Sequence, residues 1–494
     1  MRFRIAAAAA LLVPALPGPA TAQESVRDRI ASLEVRELLF TPVRPREETV
    51  RGVTVYFLPD HELPLVTFYA VFKGGVSNLP RDYLAAASAM PTMLRSGGTA
   101  TLPPDSVDLR IESLALAMSF GQGGGSASSW VNSLAEHLDE AVPLWAAMLR
   151  EPRFDPARVE QWRGAELERV RRRGDDPASL AYSRFNRIMY GDHPIGWEMN
   201  AGDLEPVDVA EERLRHVHEA LFCPGNMVLG VAGDVDWDRA EALLGRVLSG
   251  WPPCSGNLLE YPVPDIRRDP GVFVIHKPIE QSVVIAAHSS SLRQGDTPAY
   301  FASRIGNSIL GASGLSSRLN TEVRTREGLA YGASSLWTAS RRNDGLLGAV
   351  TRTRPESTLA AARLLLEVPG SMRDAPPAGE EVARVVNEAV NGFVFNFGTP
   401  LQVVSRSMTY HTLDLPEDWL ERYLRGIQRV TPRAVHDVFR DQLDPARMTI
   451  LLVGDTTRFD GSPSELGAVT ILEEDPPPPP PDPSPPRGSP RSPG

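Results

Sequence analysis

Arg324 and Tyr331 stand seven residues apart in the stretch Asn307 to Tyr331, NSILGASGLSSRLNTEVRTREGLAY. A permanently charged guanidinium and a phenol are both hydrogen-bond donors, and donors fixed in place suit negative charge growing on a carbonyl oxygen. To converge, the two must sit either side of one tight turn, and the sequence predicts such a turn. An apolar helical run ends at Gly311, the segment Gly311 to Gly314 breaks it, and a second helix reads from Ser316 to about Arg326. Leu315, Leu319 and Val323 form its expected buried stripe, Gly328 stops it, and a strand starts at Tyr331. A structural use competes with the chemical one: an arginine in a last helical turn complements the helix dipole, and a tyrosine opening a strand is often plain packing.

Other residues capable of chemistry are scattered. There is no G-x-S-x-G elbow and no Walker A sequence, and GQGGGS at Gly121 to Ser126 lacks the preceding βαβ unit a dinucleotide loop requires. His137-Leu138-Asp139-Glu140-Ala141 has no partner histidine and reads as a surface helix face. His216 and His218 are two apart in a helical segment and do not share a face. The two cysteines, Cys223 and Cys254, form no C-x-x-C. In an oxidising compartment they can pair. Cys223 precedes a strand from Asn226 to Ala232, and Cys254 follows a helix, roughly Trp237 to Leu248, that packs back along it.

The elements that must position these residues follow from length and order. A chain of 494 residues exceeds one ordinary core and implies two domains of about 200 residues each. It opens with two arginines, an apolar run from Ile5 to about Leu16 and small residues ending Ala20-Thr21-Ala22. That is a secretory leader (1–22), too short to span a bilayer, so the mature chain is expected to be periplasmic or secreted without a transmembrane segment. The formal net charge of −11 and the lack of a Lys-rich patch exclude a nucleic-acid partner.

Residues 23–48 read as an extended lead-in, 49–252 as a first domain, 253–270 as a Pro-rich linker, 271–460 as a second domain and 461–494 as a disordered Pro-rich tail. Within the first domain, strands are expected at Val53 to Leu58, Leu65 to Lys73 and Ser126 to Leu134. Helices are expected at about Asp82 to Arg95, Asp105 to Leu116, Leu138 to Leu149, Pro156 to Arg173 and up to Tyr190. The second domain repeats the order, with strands at Val272 to Ile275 and Val283 to Ser289. Gly233-Asp234 and Gly454-Asp455 end equivalent strands 221 residues apart. The reading is an internal duplication of class α+β: two tandem homologous α/β-sandwich domains, each an antiparallel-rich sheet covered by helices.

Three segments, Asn307 to Tyr331, the helix and turn LAAASAMPTMLRSGGT from Leu84 to Thr99, and the two Gly-Asp strand ends, resemble the pitrilysin/insulinase family of zinc peptidases. The likeness is to the bacterial branch related to mitochondrial processing peptidases, and it covers about residues 38 to 458. His193 in YGDHPIG resembles a structural His-Pro turn of that family. The resemblance implies one half of a clam shell, with Arg324 and Tyr331 contacting a substrate peptide. In catalytic members an H-x-x-E-H helix and a Glu about 76 residues downstream hold zinc, the motif Glu acting as base toward the bound water.

Here the motif positions are Ala89, Thr92 and Met93 or, with an insertion at Gly97-Gly98, Ser88, Pro91 and Thr92. Neither register supplies an imidazole or a carboxylate. Glu168, near the third-ligand position, reads as a helix-surface residue. The expectation is a chain that binds no metal: the non-catalytic subunit of an exported metallopeptidase, paired as a heterodimer with an H-x-x-E-H paralogue that carries zinc. It would bind extended peptide and supply Arg324 and Tyr331. The strand Ser126 to Leu134 is a further expected peptide contact by β-augmentation. Alternatives are a non-enzymatic peptide-binding or scaffold homologue, and a homodimeric hydrolase with an unrelated centre.

Overall fold

Strands in this chain form both where apolar residues alternate, as in Ser126–Leu134, and where they run continuously, as in Met227–Gly233 and Thr449–Gly454, and the two halves repeat one arrangement. The computed structural model describes residues 43–255, 258 and 260–473. The leader and the Pro-rich segment from 474 onward lie outside these residues, as does most of the lead-in. In the N-terminal half the strands are β1 (Arg46–Val50), β2 (Val53–Pro59), β3 (Leu65–Lys73), β4 (Ala117–Gln122), β5 (Ser126–Leu134) and β6 (Met227–Gly233). They lie in the order β1-β2-β6-β3-β5-β4. The helices are α1 (Leu84–Ser96), α2 (Pro104–Ser113), α3 (Leu138–Arg150), α4 (Pro156–Arg171), α5 (Pro177–Tyr190), α6 (Glu211–Leu221) and α7 (Trp237–Leu248).

In the C-terminal half come β7 (Gly271–His276), β8 (Ser282–Ser290), α8 (Pro298–Asn307), β9 (Ala330–Trp337) and β10 (Gly345–Thr353). They are followed by α9 (Thr358–Asp374), α10 (Gly379–Phe393), α11 (Pro400–Thr412), α12 (Trp419–Gln428), α13 (Pro432–Gln442), β11 (Thr449–Gly454) and β12 (Val469–Ile471). The second sheet runs β12-β7-β11-β8-β10-β9, the order of the first. The two Gly-Asp strand ends are equivalent: Asp60 N donates to Gly233 O at 2.9 Å and Lys277 N to Gly454 O at 2.9 Å. The architecture is two helix-covered mixed sheets of the same order, as the duplication predicted.

Each sheet buries one face under helices of its own half and lends the other to a helix of the opposite half. In the first half Phe68, Phe72, Val131 and Val231 join Met90, Met93, Trp145 and Leu221 in one apolar core. In the second, Val284, Ala349 and Leu452 join Ile309, Leu319, Leu365 and Phe439. The reciprocal faces are covered by straps. Ala181, Phe185 and Met189 of α5 lie on Val283, Ile285, Leu451 and Val453 of the second sheet. Val404 and Met408 of α11 lie on Tyr56, Val228 and Ala232 of the first. Neither strap was readable from periodicity, because a helix's apolar stripe does not say which sheet it meets.

Several expectations need correction. Beyond Gly461, Val469 to Ile471 forms β12 and pairs in parallel with β7, so the chain past 461 adds an edge strand before the Pro-rich segment begins. Arg46 to Val50, at the end of the lead-in, pairs with β2 as a charged edge strand. The expected helix Asp105 to Leu116 ends at Ser113, and β4 takes the residues just before the glycines. β5 is flanked by β3 and β4, so its backbone is already paired and it cannot accept a peptide strand; the edges of that sheet are β1 and β4. Cys223 and Cys254 are joined by a disulfide across 31 residues, with Cα atoms 5.0 Å apart. Closing a loop of that length restricts the unfolded chain by about 3–4 kcal/mol.

Candidate functional site

The stretch from Asn307 to Tyr331 is helical but looser than predicted. α8 continues into a π-type turn over Ser308–Ala312, a short 3-10 turn covers Gly314–Ser316, and a second π-type segment spans Asn320–Arg326. Leu319 and Val323 are fully buried as expected, but Leu315 is 65% exposed, because the 3-10 turn rotates it off the stripe. Gly311 is required by close approach: a Cβ there would lie 2.1 Å from Ser335 N on β9. Gly328, at φ +62, makes the left-handed turn into β9.

Asn320, which sequence reasoning passed over, fixes this corner. It is buried, and its Nδ2 lies 2.9 Å from Gly314 O and 2.9 Å from Ala333 O, while its Oδ1 accepts from Ala333 N at 3.1 Å. One amide thus holds the helix start and the strand together. Thr353 Oγ1 donates to Leu329 O at 2.6 Å and Thr351 Oγ1 to Gly332 O at 2.8 Å, satisfying the carbonyls where the ladder is irregular. A polar residue four positions from a predicted helix start, next to Ser317, was the signal available in the sequence.

On this frame the predicted pair meets. The Arg324 guanidinium carbon lies 4.8 Å from the centroid of the Tyr331 ring, a cation–π stack. Tyr331 is 87% exposed, so its hydroxyl faces solvent rather than the core. Among the described residues β9 pairs with no strand but β10, and its outer edge is filled by the helical corner, where Asn320 bonds the Ala333 N–H and C=O and Gly311 packs on Ser335. A cleft of about 710 Å³ adjoins the pair, lined by Tyr331, Ser334, Arg352, Arg354 and, from the strap α5, Tyr182. A stacked guanidinium and an exposed phenol beside this cleft can donate toward a carbonyl of a peptide lying in it.

The corresponding helix of the first half offers no such chemistry. On α1, Ala89 and Met93 are fully buried in the core and Thr92 is exposed, its carbonyl bonded by Ser96 Oγ at 2.8 Å. In the second register Ser88, Pro91 and Thr92 again offer only hydroxyls and a proline. Neither donor set fits zinc, which takes imidazole, thiolate or carboxylate ligands. Among the described residues no group of three or more His, Cys, Asp or Glu side chains is placed to hold a metal ion.

On α4, Glu168 is half-exposed and paired with Arg172 at 2.6 Å. The carboxylate that turns inward is Glu166, one turn after the core residue Trp162, 6% exposed and 2.5 Å from Arg169. Of the segment His137 to Ala141, Asp139 bonds Arg246 at 2.7 Å and Glu140 faces Arg110 at 3.5 Å, ordinary surface pairs. His193 caps a short turn, its Nε2 2.9 Å from Pro262 O, in a structural role. His216 stacks on Tyr83, and His218 is buried with Nε2 donating to Leu149 O at 2.7 Å.

Comparison with known proteins decides the family. The profile described as "Peptidase M16 inactive domain" matches residues 208–389, which include the Arg324–Tyr331 corner. This chain is an M16-family member that lacks the catalytic motif. An uncharacterised zinc protease of Streptomyces coelicolor is 24% identical over 315 residues, 61% of this chain and 66% of that protein. The aligned region thus spans just under two-thirds of that relative. The non-peptidase homologue YmxG of Helicobacter pylori is 21% identical over 81% of this chain and 91% of its own. Among solved structures, a peptidase M16 inactive domain from Pseudomonas fluorescens superposes with a TM-score of 0.73 at 23% identity, over 83% of this chain and 98% of that one. That likeness shows a shared fold. Among the described residues of this M16 chain, no helix is long and apolar enough to cross a membrane.

Proposed function

We propose that this chain is the zinc-free subunit of an exported M16 metallopeptidase, working as a heterodimer with an H-x-x-E-H paralogue. An extended peptide lies in the cleft beside Tyr331, and Arg324 and Tyr331 donate toward its scissile carbonyl opposite the partner's zinc. The observation carrying this reading is the guanidinium stacked on an 87% exposed tyrosine at the mouth of an open cleft. Export rests on the leader at residues 1–22. The chain alone is expected to be without peptidase activity, since its motif positions hold Ala89, Thr92 and Met93.

A second reading, a peptide-binding protein without a catalytic partner, is favoured by the likeness to YmxG, named a non-peptidase homologue. One experiment separates the two. Peptide cleavage is measured for the mature chain alone, for an H-x-x-E-H paralogue alone and for the mixture, each with and without a zinc chelator. Activity that rises only in the mixture and is lost on chelation supports the shared site. A mixture no more active than the paralogue alone, together with peptide binding by this chain, supports the second reading.

A further inference from the structure

The helical layer of the C-terminal half holds a second cavity, about 470 Å³, that the peptidase reading does not use. It lies among α8, α10, α11 and α12, walled by the rings of Tyr300, Phe393, Trp419 and Tyr423. These rings brace one another, with Phe393 stacked on Tyr423 at 6.0 Å and Tyr300 tilted against Trp419 at 6.2 Å. Two arginines line the same space, Arg304 from α8 and Arg406 from α11. Neither makes an ion pair among the described residues, although the chain carries a net charge of −11.

The partners they do have are neutral. Arg304, on an exposed position, lies near the Tyr423 and Tyr300 phenols. Arg406 donates from Nη2 to Asn396 Oδ1 at 2.9 Å and lies 5.3 Å from the Phe397 ring centroid, and its Nε is buried with no partner. Of the nearby carboxylates, Glu388, which also lines the cavity, bonds Arg384 at 2.8 Å, and Glu421 bonds Arg44 at 2.5 Å through Oε1 while its Oε2 is buried without a partner. Burial pushes the Tyr300 phenol up to about 12, so it stays protonated as a further donor.

Arg406, with a buried Nε and only neutral partners, is poorly compensated, and a guanidinium fork matches a carboxylate in two parallel hydrogen bonds. The surrounding rings suit a flat apolar body, and the volume falls in the usual range for a small ligand, roughly 300–1,000 Å³. We propose that this cavity binds a small aromatic carboxylate, its ring among Tyr300, Phe393 and Trp419 and its carboxylate between Arg304 and Arg406. The same chemistry comes from a free aryl acid or from the C-terminal residue of a peptide ending in Phe or Tyr.

The test titrates the purified mature chain with N-acetylphenylalanine and with its primary amide, read by tryptophan fluorescence and calorimetry. The acid should bind saturably and the amide at least tenfold more weakly. Arg406→Gln should weaken the acid at least tenfold. Gly392→Leu should block it, because Gly392 lines the cavity and a Cβ there meets nothing within 4 Å. Where Arg406→Gln lowers the unfolding midpoint, Arg304→Met, at an exposed position, replaces it. A tetrapeptide ending in Phe that competes with the acid assigns the site to peptide C-termini; one that does not assigns it to free acids. Equal binding of acid and amide, absence of saturable binding by any probe, or unaltered binding in the folded variants would overturn the proposal.

Discussion

The two halves build the same helix–turn–strand corner and finish it differently. Ala117 on β4 and Ala333 on β9 occupy equivalent register positions, opposite Asn132 and Thr351, whose own partners, Thr67 and Val284, are each the third residue of their strands. Two residues earlier the first half has Ala115, in a left-handed conformation at φ +49, and the second has Tyr331. Seven residues before those stand Asp108, tied to Arg95 at 2.7 Å, and Arg324, stacked on Tyr331. The first corner is closed by apolar packing of Ile111, Leu114 and Leu116 on Leu144 and Met148. The corner therefore stands without an arginine or a tyrosine. What distinguishes the second half is polar: a buried Asn320 in place of an apolar plug, and an outward-facing pair that the fold itself does not require.

The largest difference between the halves that unfolding can reach is in their straps. α5 brings Ala181, Phe185, Met189 and Tyr190 into its cluster, whereas α11 brings Val404 and Met408. Phe185→Ala should cost about 4 kcal/mol and Met408→Ala about 2.5 kcal/mol, both by cavity formation. Urea unfolding checks the ranking, and a larger loss at Met408 would show that the two halves lean on each other in the opposite sense. Next is Asn320→Ala, which leaves the Ala333 N–H and C=O without a side-chain partner and should cost about 3 kcal/mol. Hydrogen exchange should quicken at the start of β9 and stay unchanged at the start of β4. Equal loosening of both strands would mean that the amide is not a local clamp.

Sharpening the comparison takes a swap. Arg324→Asp with Tyr331→Ala writes the first half's residues onto the second half's corner, and its urea midpoint should match that of the parent. In the reconstituted complex Arg324→Ala alone should lower turnover about 10²-fold, the usual effect of losing one oxyanion donor. Unfolding of the swapped protein would return the pair to a packing role, and undiminished turnover would remove it from the reaction.

The sequence carried much of the first half's scaffold because its strands alternate and its helices end on glycine or charged residues. Leu65–Lys73, Ser126–Leu134 and Trp237–Leu248 appear with the expected bounds. Three short edge strands did not show, for a common reason: an edge needs no alternation. Arg46–Val50 is mostly charged, Ala117–Gln122 carries a glycine, and Val469–Ile471 is three residues long. Around the site, spacing placed Arg324 beside Tyr331 but misjudged Leu315, because a stripe read at 3.6 residues per turn fails where the backbone passes through 3-10 and π turns. Glu166 was missed in favour of Glu168 because counting along a helix does not tell an inward from an outward carboxylate.

The smallest expected effect separates the halves by pH. Burial lowers the pKa of His218 in the first half and of His288 in the second below the ordinary 6.5. For His288 the hydrogen bonds agree: Nδ1 faces Ser289 O at 2.7 Å and must donate, while Nε2 accepts from Asp444 N at 3.0 Å, a contact that protonation destroys. A histidine whose folded pKa is depressed binds fewer protons than in the unfolded chain. Its contribution is thus intact above 6.5 and lost as pH falls below it. The first half has an opposing group, since the bond to Asp234 raises the pKa of exposed His61 and favours the folded form at low pH. Acidification from pH 7.5 to 5.5 should accordingly loosen β8 and the start of β11 before the first sheet, as read by hydrogen exchange. His288→Gln keeps an acceptor for Asp444 N and a donor for Ser289 O without titrating, so it should flatten that dependence in the second half alone. If the variant loosens with acid as steeply as the parent, the acid sensitivity of this half lies in another group.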